Sequence, residues 1–288
     1  MTTARATNLK ELGELFNRQD RKWVREQGLR LELRPTDVVI TPYGKSGTTW
    51  TQQIVHTLRT RGDMEFDDIS RVVPWIEVSA GLDIDLDAEQ RANPRAFKSH
   101  LAWDDMPRGG KYINVVRDPA NAAVSAFRFM EGWYVEPGAI EINAYLQATF
   151  LKTRGYYAHL KSWWPRRNDA DVLFLAYEHM LADPEPTIAR IAAFIDVALD
   201  DELLSLTLEH SSREFMLRHR DRFDDAMLRK QSEELIGLPP GSDSAKVTGG
   251  SSKELLSAAT LTMFDEVWDA EIATELGLPS YSNLLAAL

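Results

Sequence analysis

The stretch Asp37-Val-Val-Ile-Thr41-Pro-Tyr-Gly-Lys45-Ser-Gly-Thr-Thr-Trp50 decides the fold. Asp37–Thr41 is a short, nearly continuous apolar run, as expected of a strand covered on both faces. From Thr48 to Leu58 the pattern turns helical, with Trp50, Ile54, Val55 and Leu58 on one side. Between strand and helix, Gly44 and Gly47 let the chain turn tightly and approach an anion. Consecutive backbone N–H groups and the positive end of the helix make a natural phosphate cradle there. Ser46, Thr48 and Thr49 add hydroxyl donors, and Lys45 adds a mobile point charge. Spacing alone reads equally as an ordinary strand-to-helix turn capped by Ser and Thr. The arrangement departs from the nucleoside-triphosphate loop G-x-x-x-x-G-K-[ST], because Lys45 precedes Gly47 and Thr48 follows it.

Outward from this stretch, Tyr112–Val116 and Val172–Ala176 repeat the buried-strand pattern. Asp118-Pro119 fits the start of a helix running to about Met130, with Pro in the first turn and an acid before it. Ile142–Trp164 reads as one long helix stopped by Pro165, and Pro184 and Pro186 open another over Thr187–Phe194. Short strands alternating with helices predict an α/β fold, a central parallel β-sheet flanked by helices. Asp83–Pro94 and Leu235–Ser252 read as irregular, the second with the length of a functional or mobile loop. Neither separates two sets of strands, so one domain over 1–288 is expected.

Composition narrows the function. The 288 residues contain no Cys, which removes disulfides, thiolate catalysis and Cys-ligated metal sites. A net charge of −11 argues against generic nucleic-acid binding, which needs a basic face. No apolar run approaches the roughly 20 residues of a membrane span. The polar, then amphipathic MTTARATNLKELGELF has no apolar signal core, so a cytoplasmic enzyme is the expectation.

Lys45-Ser-Gly-Thr-Thr-Trp50 after a buried strand resembles the 5′-phosphosulfate loop of the cytosolic, PAPS-dependent sulfotransferases. Further segments resemble that family in the same order. Val116-Arg117-Asp118-Pro119 with Val124-Ser125-Ala126-Phe127 is similar to its 3′-phosphate element. Arg117 leaves a strand's C-terminal end, where α/β sheets bind ligands, and a guanidinium grips phosphate at two points. A surface ion pair is the other reading of Arg117. Phe97-Lys98-Ser99-His100-Leu101 resembles the family's K-T-H segment, whose His is the catalytic base. His100 is thereby singled out from His56, His159, His179, His210 and His219, with His159 read as structural. Leu175-Ala-Tyr177-Glu-His-Met180 resembles a Y-E-x-M segment whose Tyr holds the adenine, Trp50 stacking on the base. Tyr177 and Trp50 read equally as packing residues. Ser211-Ser212 stands where the family has a T-S pair near the adenine.

The resemblance covers roughly Asp37 to Ser212 well and the rest loosely. Gly44 stands where the family has Pro. The C-terminal R-K-G and G-D-W elements are replaced at best by Lys246-Val-Thr-Gly249-Gly250, with Lys246 standing in for an Arg at the 3′-phosphate. Leu255–Phe264 lacks the family's dimer motif, so no oligomeric state carries over.

The resemblance implies a P-loop-like sulfotransferase fold and transfer of a sulfuryl group from PAPS to a hydroxyl or amine of a small molecule, releasing PAP. His100 would deprotonate the acceptor, Lys45 would neutralise charge developing on the oxygen bridging to the leaving phosphate, and Lys98 would hold the sulfuryl oxygens. No metal is required in this scheme, because Lys, Arg and backbone donors supply the positive field. Ser46, Gly47, Thr48, Thr49, Trp50, Arg117, Ser125, Tyr177, Ser211, Lys246 and Gly249 would bind the donor. Val73-Pro-Trp75-Ile-Glu77 resembles a segment bordering the acceptor pocket, and Trp75, Phe129, Trp133 and Tyr134 are candidates to line it, although each also reads as core. Two other readings stand beside this one: a P-loop phosphotransferase using ATP or GTP, and a PAP-binding module without turnover.

Overall fold

The computed structural model describes residues 4–18, 22–240 and 253–288. The chain divides into two compact units, one made of 1–20, 118–161 and 224–288, the other of 21–117 and 162–223.

The second unit holds the sheet. Its strands are β1 (Val38–Ile40), β2 (Ala96–Lys98), β3 (Lys111–Val116) and β4 (Val172–Ala176), in the order β2-β1-β3-β4. All pairings are parallel, with Val39 opposite Phe97 on one side and Tyr112 on the other. Val38, Val39 and Ile40 are fully buried, which is why β1 reads as a continuous apolar run rather than an alternating one. β2 follows β1 on one side and β3 lies on the other, so the order reverses at β1. Crevices at such reversals, beyond the carboxyl ends of the strands, are where open α/β sheets bind ligands. At the opposite end of the sheet the buried Asp37 and Arg95 form an ion pair at 2.5 Å, tying β1 to β2.

The helix predicted after β1 spans Thr48–Thr60. It is buried on more than the predicted apolar side: Thr51, Gln52, Gln53, His56 and Thr57 are enclosed as fully as Ile54 and Val55. Hydrogen bonds make this tolerable, Gln52 donating to the Val73 carbonyl at 3.2 Å and Thr51 to the Gly47 carbonyl at 3.1 Å. Pro184–Phe194 begins at its first Pro, as Pro at the first helical position allows.

The described part of the first unit is helical, apart from isolated bridges. Pro119–Met130 starts as expected, with the Asp118 carboxylate accepting the Asn121 N–H at 2.9 Å. The single helix expected over Ile142–Trp164 is instead three, Ile142–Ala148, Phe150–Thr153 and Gly155–Trp163. The first break falls at Thr149, which leaves helical dihedrals while its hydroxyl donates back to the Tyr145 carbonyl at 2.7 Å. The second falls at Arg154, whose φ of 55° is left-handed and ends the turn ahead of Gly155.

Candidate active site

The loop after β1 carries two left-handed residues, Lys45 at φ 67° and Gly47 at φ 96°. The Ser46 N–H donates to the Tyr43 carbonyl at 3.2 Å, and the Gly47 carbonyl accepts the first helical bond from Thr51 at 3.0 Å. The N–H groups of Thr48, Thr49 and Trp50 therefore open the helix with no intrahelical acceptor. A Cβ at Gly47 would lie 2.9 Å from a ring carbon of Tyr177, in addition to the strain of its positive φ. Only glycine fits between the loop and that ring.

Arg117, just past the end of β3, donates to the Lys45 carbonyl at 2.9 Å, and its guanidinium lies 4.3 Å above the Tyr177 ring centroid. Trp50 meets the same ring edge-on at 5.6 Å. The loop, Arg117, Tyr177 and Trp50 are thus one cluster at the carboxyl ends of β1, β3 and β4. Within it the hydroxyls of Ser46 and Thr48 and the indole N–H of Trp50 are buried without a hydrogen-bond partner. Buried donors of this kind are costly unless something meets them. An oxyanion in the loop would do so, and the donor set, with Lys45 and Arg117 beside it, suits a phosphate or sulfate.

The neighbouring strand β2 delivers Lys98 at its end, opposite Ile40, and His100 two residues on. His100 Nδ1 lies 2.7 Å from the Pro42 carbonyl. A carbonyl only accepts, so Nδ1 carries the proton and the neutral ring keeps its lone pair at Nε2, the atom able to take a proton from an acceptor. The backbone N–H of His100 donates to the Glu77 carboxylate at 2.7 Å. Burial pushes the Glu77 carboxyl above its ordinary range, and the hydrogen bonds it accepts oppose that shift. Trp75 stands between the two candidate catalytic groups, 3.9 Å from Lys98 Nζ and 5.1 Å from the His100 ring. The chain is acidic overall, yet Lys45, Lys98 and Arg117 all stand at one sheet edge.

Ser211 is buried at the end of the Asp201–His210 helix, its hydroxyl donating to the Thr207 carbonyl at 2.7 Å. Ser125 is half-buried on Pro119–Met130, in the first unit. Phe129, Trp133 and Tyr134 form an aromatic group in that unit, with Phe129 and Trp133 5.0 Å apart and Trp133 and Tyr134 4.7 Å apart. Trp133 and Tyr134 are buried. His159 is buried. Lys246 and Gly249 lie outside the described residues. The sequence reading passed over two groups that hold His100, the Pro42 carbonyl and Glu77. A carbonyl leaves no sequence signal, and the reach of Glu77 to a residue 23 positions on exists only once its segment pairs beside β2.

Residues 35–269 match the family model described as the sulfotransferase domain. Sulfotransferase 1B1 of Canis lupus familiaris is 32% identical over 200 residues, covering 64% of this chain and 67% of the relative. Sulfotransferase 1 family member D1 of Rattus norvegicus is 30% identical over 221 residues, covering 71% of this chain and 74% of the relative. Among solved structures, retinol dehydratase in complex with androsterone and PAP has the same fold, with a TM-score of 0.67 at 21% identity over 91% of this chain and 85% of that one. Among the described residues no helix is long and apolar enough to cross a membrane. The family match spans the Lys45 loop, β2 with Lys98 and His100, and the Arg117–Tyr177 cluster, and the chain belongs to the sulfotransferase family, as a PAPS-dependent sulfotransferase.

Proposed function

We propose that the acceptor is a small molecule bearing a hydroxyl or amine, deprotonated by His100 at Nε2 for in-line attack on the sulfur of PAPS. The S–O bond to the phosphate breaks as the acceptor–sulfur bond forms, leaving PAP. Lys45 neutralises the negative charge that grows on the departing phosphate oxygen, and Lys98 holds the sulfuryl oxygens. The loop N–H groups, with Ser46, Thr48 and Thr49, take the 5′-phosphosulfate. Arg117 takes the 3′-phosphate, with Ser125, Lys246 and Gly249 in the supporting roles the family resemblance gives them. Trp50 and Tyr177, with Ser211, hold the adenine. The reading places this chemistry in a single domain of a cytoplasmic enzyme and assigns it no metal. The androsterone bound to retinol dehydratase supports an alcohol of lipid type as one acceptor to try.

One observation carries this reading. His100 has its Nδ1 proton committed to the Pro42 carbonyl, two residues from Lys98 and beside a lysine-led loop whose buried hydroxyls have no partner. Stabilisation by PAP without added metal tests the donor site. Labelled PAPS against a panel of alcohols and amines then identifies the acceptor. His100→Gln should keep the PAP-induced thermal shift and lose turnover; a variant with undiminished turnover removes His100 from the chemistry.

A further inference from the structure

The family resemblance puts Trp75 on the acceptor wall, and the structure sets its ring against two candidate catalytic side chains. Lys98 Nζ lies over the indole at 3.9 Å from its centroid, and the His100 imidazole meets the indole nearly perpendicular, at 5.1 Å and 80°. The backbone around Trp75 is bound to the same short stretch. The Lys98 N–H donates to the Pro74 carbonyl at 2.8 Å, and the Ile76 N–H returns to the Lys98 carbonyl at 2.9 Å. Trp75 thereby pairs parallel to the end of β2, and two residues later the Glu77 carboxylate accepts the His100 N–H at 2.7 Å. Hydrogen bonds on both sides of Trp75 thus tie its segment to residues 98–100.

We infer that Trp75 is a positioning residue, one ring that sets the Lys98 ammonium and the His100 imidazole relative to each other. The inference rests on the roles proposed above for Lys98 and His100. Lys98 is only 3% exposed, and a buried ammonium has to recover what it loses by leaving water. The face of an indole is the best aromatic surface for this, and the attraction strengthens when the pair is desolvated. A flexible lysine stem has several rotamers, and the ring selects one in which the charge is ready for the sulfuryl oxygens. The edge contact limits rotation of His100 about the axis that the Pro42 hydrogen bond leaves open. The device therefore acts on the geometry of transfer more than on acceptor affinity.

A comparison of Trp75→Leu with Trp75→Phe, assayed with two acceptors of different size, tests the inference. Trp75→Leu keeps an apolar side chain and loses the π face. Its kcat should fall by about tenfold, equivalent to roughly 1.4 kcal/mol, with acceptor KM within about twofold for both acceptors. Trp75→Phe keeps a π face and should recover most of that loss. A raised KM at unchanged kcat, or a Phe variant no better than Leu, overturns the inference and returns Trp75 to the acceptor wall. The melting temperature and the PAP-induced shift certify folding; if the Leu variant does not fold, Trp75→Met takes its place with the same expected outcome. Lys98→Ala and His100→Ala separate the two levels of argument. If either retains full turnover, the underlying roles fail; if both lose it while Trp75→Leu changes only KM, the Trp75 inference alone fails.

Discussion

The two ends of the Thr48–Thr60 helix differ instructively. Both are rich in polar groups that the sheet and its loops enclose. At the first end, the hydroxyls of Ser46 and Thr48 and the indole N–H of Trp50 have no hydrogen-bond partner. At the second, Arg59 uses both terminal nitrogens on its surroundings: Nη1 donates to Gln90 and the Pro94 carbonyl, and Nη2 to the Val72 carbonyl. Burial draws this guanidinium down to about 10 and the adjacent His56 down to about 4. A partnerless atom alone does not separate the ends, because His56 Nε2 also has no hydrogen bond, with Asp63 at 3.8 Å. The difference lies in company. At the first end, donors converge at a helix N-terminus beside Lys45 and Arg117, as an anion site requires. At the second, one cation laces together loop carbonyls, which builds structure. Experiments on either end can break this distinction.

The largest effect is expected at the first end. Lys45→Ala should lower kcat by about a hundred- to a thousandfold, the scale seen when a charge-stabilising donor is removed from a transition state, and should weaken PAP less. Single-turnover rates with labelled PAPS check it, and unchanged turnover assigns Lys45 to the fold. The next effect belongs to the second end and is read as stability. His56 has its folded pKa depressed from 6.5 to about 4, so it folds neutral and the unfolded chain binds the proton more readily. Its contribution is fully present above pH 6.5 and is lost as pH falls toward 4. Between pH 7 and 4.5 the wild type should lose about 2–3 kcal/mol more than His56→Gln in urea unfolding. Parallel pH dependences for the two proteins would remove the buried histidine from acid sensitivity.

These ends were unequally legible in the sequence. The first was readable because its signal is contiguous: Val38–Ile40 announces a doubly buried strand, and Gly44 to Thr49 follows at once with turn residues and hydroxyls. Arg117 was readable at the end of a buried strand, whereas Lys98 and His100 were readable from the resemblance of residues 97–101 to a family segment, the strand β2 that carries Lys98 being too short to announce itself. The second end was opaque. His56 and Arg59 stand on an apparently amphipathic helix, and only the packing of other segments makes them internal, Phe66 against His56 and the carbonyls of Val72 and Ala92 on Arg59. The breaks at Thr149 and Arg154 were missed for local reasons, because helical periodicity continues across a Thr that turns its hydroxyl on the preceding turn and across an Arg that takes a left-handed φ. Trp75 was assigned by resemblance to the acceptor, and its place beside Lys98 follows from pairing between segments distant in sequence.

Gly47→Ala comes third. A Cβ there meets Tyr177 at 2.9 Å and must hold φ at 96°, so the loop shifts or the ring gives way. A loss of about 1–3 kcal/mol in stability is expected, the scale of left-handed strain at a non-glycine residue. The PAP-induced thermal shift should shrink with it, because the moved backbone carries the N–H groups of the cradle. An Ala variant that melts and binds PAP as wild type does would show that the Gly47–Tyr177 contact sets nothing.

The smallest effect discriminates best. Ser46 is fully enclosed, and its hydroxyl meets no partner in the protein, so removing the oxygen deprives the fold of nothing and relieves a desolvated group. Ser46→Ala should therefore melt at or slightly above the wild-type temperature. If that hydroxyl faces the 5′-phosphosulfate, PAP binding should weaken by about 0.5–1.5 kcal/mol, the net worth of one hydrogen bond, or between about twofold and tenfold in Kd. A structural serine gives the reverse pattern, a lower melting temperature with PAP affinity intact. Opposite signs on two measurements from one atom make this test hard to satisfy by accident, since general damage to the loop lowers both together.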